Sequence, residues 1–216
     1  MLRLSARPRQ VPESTLRPGT TVLRLGNGRE GLLHVPPGEV RGLVVSLHGA
    51  GGQAGSGLDL FRGDADALGL VVLAPASAGS TWAALHRGAD PDTAAVDAAL
   101  TEVLGSHAFD PARIAVGGFS DGGTYALSLG LVNGDLFPTV VAFSPGFEVS
   151  DRRTGRPAVF VSHGVRDEVL PIARTSRRIV PGLEEDGYDV TYREFDGGHV
   201  VPPQLAAEAA RLVVGG

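Results

Sequence analysis

The chain contains no lysine and no cysteine, and its only methionine is the initial residue. Without lysine it cannot form a Schiff base with pyridoxal, supply a phosphate-loop lysine or build a Ser-Lys dyad. Without cysteine it has no thiol nucleophile, disulfide, iron–sulfur cluster or thiolate zinc site. Catalysis would therefore rest on Ser, Thr, His, Asp, Glu, Tyr or Arg, or on a borrowed cofactor.

Long apolar runs are also missing, and basic charge is in the minority. The 216 residues carry a formal net charge of −5, which argues against a nucleic-acid-binding surface. No run has the 18 or so apolar residues of a membrane span, and the first twenty residues lack the apolar core of a signal peptide. We therefore expect a cytoplasmic protein, with residues 1–20, rich in Arg and Pro, as an extended arm and residues 21–216 as a single domain.

Short apolar runs bounded by turn residues predict strands along the whole chain. Two of them, at 21–25 and 30–35, flank Gly26-Asn27-Gly28 and predict a hairpin. Uncharged runs predict further buried strands at 42–47, 70–74, 114–117, 139–143 and 158–162, and a more alternating run at 190–195 predicts a strand nearer an edge.

Helical patterns lie between these runs, at 93–104, 122–132, 172–180 and 203–213. Uncharged strands that alternate with helices predict an α/β fold with a mostly parallel central sheet and helices on both faces. Only about fifteen residues separate the predicted strands at 139–143 and 158–162, so we expect no cap domain.

One G-x-S-x-G string, Gly118 to Gly122, has a context that makes it informative. It follows the strand at 114–117 directly and begins the helix at 122–132. A sharp strand-to-helix turn leaves no room for side chains on either side of its serine. Ser120 is therefore the candidate nucleophile.

Two polar side chains follow later predicted strands. Asp167 comes after the strand at 158–162, with Glu168 as a neighbouring competitor, and His199 comes after the strand at 190–195. Because the carboxyl ends of parallel strands share one edge of the sheet, these two residues can converge on Ser120. The order Ser, Asp, His along the chain is typical of α/β-hydrolases.

The glycine-rich segment from His48 to Gly52 has two interpretations. Residues 49–54 fit a dinucleotide-binding fingerprint, but the following strand at 70–74 ends without the acidic residue that this fingerprint requires. The alternative is a loop whose N–H groups face a developing oxyanion. His48 and His163 both precede glycine in tight turns and are expected to be structural hydrogen-bonders.

At this point the sequence resembles small α/β-hydrolases of the phospholipase/carboxylesterase type, a group similar to acyl-protein thioesterases and to polyhydroxybutyrate depolymerases and feruloyl esterases. The resemblance spans residues 42–203, through the segments LHGAGG, PASAGSTW, DPARIAVGGFSDGG, SPG, HGVRDEVLP and GGHVVP. It implies an α/β-hydrolase fold, the catalytic residues Ser120, Asp167 and His199, and an oxyanion hole from the backbone N–H groups of Ala50 and Asp121. It implies no cofactor and no metal.

Asp121 departs from the pattern, because relatives often have Gln, Asn or Met after the nucleophile. A carboxylate beside an anionic transition state is unfavourable unless it points away or is paired. Three apolar residues near strand ends, Trp82, Phe147 and Leu170, are candidates for an acyl pocket, with ordinary core packing as the alternative for each.

The function that these residues predict is hydrolysis of carboxylic acyl esters, which includes thioesters and polymeric esters, through an acyl-enzyme. A non-catalytic binding protein on the same fold and a dinucleotide-binding oxidoreductase are the alternatives. Arg174, Arg177 and Arg178 lie at helical spacing and predict either the solvated face of an amphipathic helix or a patch for an anionic substrate or a membrane. The sequence does not indicate an oligomeric state.

Overall fold

The computed structural model of the protein describes residues 2–85, 90–150 and 152–215. This part of the chain forms one sheet of the strands β1 (Gly19–Arg24), β2 (Glu30–Val35), β3 (Gly42–Leu47), β4 (Leu70–Ala74), β5 (Ile114–Phe119), β6 (Thr139–Phe143), β7 (Ala158–Gly164) and β8 (Val190–Phe195). Its α-helices are α1 (Ala54–Leu68), α2 (Pro91–Leu104), α3 (Asp121–Val132), α4 (Ser176–Glu185) and α5 (Pro203–Val214).

The sheet is mostly parallel, in the order β1-β2-β4-β3-β5-β6-β7-β8. Six neighbouring strands run parallel to one another: β4, β3, β5, β6, β7 and β8. Strand β2 is antiparallel to both β4 and β1. The predicted hairpin and the predicted edge position of the last strand are confirmed. Because β3, β5, β7 and β8 point the same way, the loops that follow them meet at one edge of the sheet.

The core lies on both faces of the sheet. In β3, Val44 packs into one apolar cluster with residues of α1 and α5, while Leu43 and Val45 pack into the other with residues of α2, α3 and α4. This alternation is what period-2 geometry requires of a strand covered on both sides. Within the described residues, no helix has the length and apolar character needed to cross a bilayer.

The sequence patterns do not predict α1. The helix contains Gly55, Gly57 and Gly63, which weaken a helical pattern, although Leu58 and Phe61 are buried one turn apart. Gly57 has a packing reason, because a Cβ there would lie 2.7 Å from the carbonyl oxygen of Ser46 in β3. The helix can lie this close to the sheet only without that side chain.

The predicted helix at 172–180 is wrong in its bounds. Residues 172–174 form a single 3₁₀ turn, the backbone breaks at Thr175 (φ −122°, ψ −104°), and α4 then continues past Pro181 to Glu185. The predicted strands at 114–117 and 158–162 each extend two residues further, to Phe119 and Gly164. These extra residues carry the chain to the loops that hold Ser120 and Asp167.

The segment before β1 is attached to the domain by its own contacts. Its described residues form no helix or strand, but Leu4 and Ala6 are buried in the core. Asn133, fully buried at the end of α3, accepts a hydrogen bond from Leu4 N–H (2.9 Å) and donates to the carbonyl oxygens of Leu2 (2.7 Å) and Leu129 (2.8 Å). One amide side chain therefore joins the beginning of the chain to the middle of the fold.

We expect Asn133→Ala to reduce the free energy of unfolding by about 2 kcal/mol, because three hydrogen bonds of a buried amide are lost. For a domain of this size the melting temperature should fall by about 4–8 °C. Thermal unfolding followed by circular dichroism measures the change. Gln204→Ala, which removes an exposed amide on α5, is the control and should shift the melting temperature by less than about 2 °C. Equal melting temperatures for the two variants would contradict the prediction.

Candidate active site

Ser120 lies on a sharp turn between β5 and α3. Its backbone is in a strained region, with φ 58° and ψ −121°. A Cβ on Gly118 would lie 2.3 Å from the carbonyl oxygen of Gly122, and one on Gly122 would lie 2.2 Å from that of Leu47. Both glycines are therefore required for this turn, which packs against the end of β3.

The structure brings the three predicted polar residues together in one chain of hydrogen bonds. His199 Nε2 lies 2.9 Å from Ser120 Oγ, and His199 Nδ1 lies 2.6 Å from Asp167 Oδ2. Ser120 follows β5, Asp167 follows β7 and His199 follows β8, so all three come from the carboxyl-end edge of the sheet. The Asp167 side chain is fully buried, and the competitor Glu168 is exposed.

Asp167 is held by donors on both of its oxygens. Oδ1 accepts from the backbone N–H groups of Val169 (2.9 Å) and Leu170 (2.8 Å), and Oδ2 accepts from His199. Burial works against ionisation, but the N–H of Leu170, the His199 imidazole and the N–H of Val169 outweigh it, so the pKa of Asp167 lies below its usual value. The carboxylate is thus kept charged where it faces His199.

His163 also contacts Asp167. Its Nε2 lies 2.8 Å from the carbonyl oxygen of Leu170 and 3.2 Å from Asp167 Oδ2, and its Nδ1 lies 2.6 Å from Ser176 Oγ. A carbonyl only accepts, so Nε2 carries the proton and the Ser176 hydroxyl donates to Nδ1. Burial lowers the pKa of His163, in agreement with a neutral ring.

The structural role predicted for His163 is confirmed, but its contact with the triad aspartate is not evident from the sequence. The only signal is the spacing of four residues between His163 and Asp167 around a strand end. The ring supports both the carboxylate and the loop that follows it.

The loop after β3 lies against the turn that carries Ser120. A Cβ on Gly49 would lie 3.4 Å from Ser120 Cβ, and Gly51 has a positive φ of 70°. Gly51 N–H donates to Ser80 O (2.6 Å) and Gly52 N–H to Gly49 O (3.0 Å). By contrast, the backbone N–H groups of Ala50 and Asp121 have no acceptor among the described residues.

Trp82 does not line an acyl pocket. It belongs to the core, which is the alternative expected from the sequence. Its ring is fully buried and stacks on Tyr125 with 5.0 Å between centroids. The indole N–H donates to the carbonyl oxygen of His48 (2.9 Å). These contacts place Trp82 beneath the loop after β3, where it supports the loop but cannot touch a substrate.

His48 fixes the same loop from its other side. Nδ1 lies 2.7 Å from the carbonyl oxygen of Gly49, so it carries the proton, and Nε2 accepts from the N–H of Ser77 (3.0 Å). Burial lowers the pKa of this ring, which keeps it neutral. The structural role predicted for His48 is confirmed.

The segment between β4 and α2 is anchored on a buried carboxylate that the sequence does not reveal. Asp92 is fully buried and accepts from Ala78 N–H (2.7 Å), Asn27 Nδ2 (3.1 Å) and Ala83 N–H (2.8 Å). The segment in turn positions Thr81, whose hydroxyl donates to Asp121 Oδ2 (2.6 Å). The Asp121 side chain is therefore paired.

The other two expected pocket residues are accessible. Phe147 is 46% exposed. Leu170 is half-buried, and one of its methyl groups lies 3.5 Å from where a Cβ on Gly146 would be. Gly146 N–H donates to Thr124 Oγ1 (2.8 Å), and Thr124 in turn donates to the carbonyl oxygen of Ser120 (3.1 Å). Gly146, near the start of the connection after β6, is thus tied to the backbone of Ser120.

We expect the free energy of unfolding to fall more steeply with acidification in the natural protein than in His163→Gln. The pKa of His163 is lower in the folded state than in the unfolded chain. The neutral ring therefore contributes to the free energy of unfolding above about pH 6.5, and this contribution is lost as the pH falls below that value. The difference in slope should reach at most about 1.4 kcal/mol per pH unit. Urea unfolding at pH 7.5, 6.5 and 5.5 measures it.

His107→Gln is the matched control for this series. Partial burial also lowers the pKa of His107, but the ring is less buried and is remote from the triad, so its removal should flatten the slope less. Parallel curves for the natural protein and His163→Gln would show that the prediction is wrong.

Among curated proteins, the chain is similar to a putative esterase, NocK, from Nocardia uniformis subsp. tsuyamanensis, with 32% identity over 171 residues. The alignment covers 69% of this chain and 48% of NocK, so the chain spans about half the length of the curated relative it matches. No protein-family profile matches the chain.

Solved structures show the same likeness in the fold. FphF, a fluorophosphonate-binding serine hydrolase from Staphylococcus aureus, superposes with a TM-score of 0.73 at 14% identity, over 92% of this chain and 99% of FphF. A phospholipase/carboxylesterase from Dyadobacter fermentans DSM 18053 gives a TM-score of 0.64 at 18% identity, over 94% and 99%. The protein therefore has an α/β-hydrolase fold.

Proposed function

We propose that the protein is a serine hydrolase that cleaves carboxylic acyl esters through an acyl-enzyme. The observation that carries the proposal is the hydrogen-bonded chain from Ser120 through His199 to Asp167. Nucleophile, base and orienting carboxylate stand at the distances that this chemistry needs. The similarity to a putative esterase supports the same reaction class.

In the first step, His199 Nε2 takes the Ser120 proton as Oγ attacks the ester carbonyl. The carbonyl electron pair moves to the oxygen, which becomes an oxyanion facing the N–H groups of Ala50 and Asp121. When the intermediate collapses, the bond to the alcohol oxygen breaks and His199 returns the proton to the leaving alcohol. Water then attacks the acyl-serine by the same sequence and releases the acid.

Asp167 makes His199 a competent base. Its carboxylate accepts from Nδ1, which leaves Nε2 free to take the serine proton and stabilises the imidazolium that forms. Because the pKa of Asp167 is held low, this charge is present throughout the neutral range. Asp167 therefore acts on the reaction through His199.

The surface around the triad favours substrates with apolar parts. Among the described residues, six large apolar side chains are exposed, and four of them lie in the loops that hold or flank the triad: Phe147, Val165, Val169 and Val200. Three of these stand within two residues of Asp167 or His199. The described part of the connection 144–157 forms no helix or strand that could cover them. Exposed apolar groups clustered around a site are typical of substrate contact.

Ser120→Ala should lower kcat/KM by about 10⁴-fold or more, and Asp167→Asn by about 10⁴-fold. The assay is hydrolysis of 4-nitrophenyl esters from acetate to octanoate. Ser56→Ala and Asp59→Asn, both exposed on α1, make the same chemical changes away from the site and should leave the rate within about twofold. Labelling by a fluorophosphonate should be lost in Ser120→Ala and kept in Ser56→Ala and Asp59→Asn.

Background rates for every acyl length would contradict the proposal and favour a binding protein on this fold. Rates unaffected by Ser120→Ala would place the chemistry elsewhere. Tight NAD binding would favour an oxidoreductase. The cytoplasmic location and the absence of nucleic-acid binding stay predictions.

Asp121→Asn should raise kcat/KM by about threefold. The substitution keeps the backbone N–H and an oxygen for the Thr81 hydroxyl, and it removes a negative charge near the developing oxyanion, a change of order 0.7 kcal/mol for a partly solvated site. The 4-nitrophenyl butyrate assay measures it, with Asp59→Asn as the charge-matched control. A decrease in kcat/KM would contradict the prediction. It would show that the hydrogen bond between Thr81 and the carboxylate favours the reaction more than the negative charge of Asp121 disfavours it.

A further inference from the structure

Two of the three arginines that the sequence singles out line a groove beside the proposed active site. The groove has a volume of about 310 Å³ and lies between residues 146–148 and 153 on one side and Arg174 and α4 on the other. Arg174 and Arg178 line it together with Phe147 and Ile179, whereas Arg177 on the same helix does not. Arg177 is instead paired with Glu194 (2.7 Å).

The groove begins next to the triad. Gly146 lines it, and Gly146 N–H donates to the Thr124 hydroxyl, which in turn donates to the backbone carbonyl oxygen of Ser120. Leu170, whose N–H donates to Asp167, has a methyl group 3.5 Å from where a Cβ on Gly146 would be and comes four residues before Arg174. The end of the groove at Gly146 and Phe147 therefore lies beside residues that hold Ser120 and Asp167.

Charge is distributed unevenly along the groove. Beside the end of α4, Arg153 is neutralised by Glu148 (2.8 Å) and Asp186 (2.5 Å). At the beginning of α4, where Ser176 bonds to His163, Arg174 and Arg178 are exposed and have no carboxylate partner among the described residues. The lining as a whole has three arginines against two carboxylates, an excess of one positive charge. This excess fits a monoanion better than a dianion or an anionic membrane surface.

We propose that this groove is a substrate subsite for acyl chains that end in a carboxylate. Phe147 packs against the methylene chain, and the guanidinium groups of Arg174 and Arg178 bind the distal carboxylate, for which their planar donors are well suited. The substrate class is therefore the half-ester of a dicarboxylic acid. This proposal rests on the proposed function, because the ester is cleaved at Ser120.

The test compares mono-4-nitrophenyl esters of adipic, suberic and sebacic acid with the same esters capped by a methyl group on the free carboxylate. At low salt the natural protein should prefer the charged ester by about tenfold in kcat/KM for at least one chain length, since two exposed ion pairs contribute severalfold each. The preference should shrink toward unity at 0.5 M NaCl.

The variants separate the groove from overall charge. Arg174→Gln with Arg178→Gln should abolish the preference and leave hydrolysis of the capped esters within about twofold. Arg177→Gln with Arg193→Gln removes the same charge from two arginines paired outside the groove, with Glu194 and Glu208, and should keep the preference.

Equal rates for charged and capped esters in the natural protein would overturn the subsite and leave the proposed function standing. A preference that survives the groove variant, or that both double variants lose equally, would also overturn it. No hydrolysis of either ester, with no fluorophosphonate labelling of Ser120, would overturn both proposals.

Discussion

The contact on which the site depends is the approach of the Ser120 turn to the end of β3. Gly122 stands against the carbonyl oxygen of Leu47 with no space for even a methyl group, and Gly118 stands against Gly122 itself. This contact fixes the strained backbone of Ser120 and sets the nucleophile beside the loop that begins at His48. Every other part of the site is arranged around a serine that the sheet holds in place, because neither glycine can be replaced without moving a strand.

Around this fixed serine, neutral and charged groups have separate roles. Asp167 is held ionised by backbone N–H donors and by His199, while His163 and His48 are held neutral by burial and by defined partners on both ring nitrogens. The two neutral rings hold loops, and the one carboxylate orients the base. Such a division keeps a single mobile proton in the site, the one shared by Ser120 and His199.

Much of this arrangement is predictable, because the fold class, the strands and the positions of Ser120, Asp167 and His199 follow from periodicity and from the rule that parallel strands end at one edge. The patterns fail where tertiary contacts override local preference. Gly57 weakens the helical pattern of α1 but is required by its packing on β3, and α4 begins late because the backbone breaks at Thr175. Trp82 bonds to His48 and Asp92 to Asn27, partners that lie 34 and 65 residues away, and no local pattern predicts such contacts.

Helix α3, which begins after Ser120, is anchored at its C-terminal end by the amide of Asn133. Ser120 precedes the first residue of α3, and Asn133 follows the last, so one helix joins the reactive serine to Leu2 and Leu4. During synthesis Leu2 emerges 131 residues before this partner. Leu2 and Leu4 can dock only after residue 133 has left the ribosome, because the contact closes a loop of about 130 residues. Residues 2–4 therefore take their place only after more than half of the domain has been synthesised.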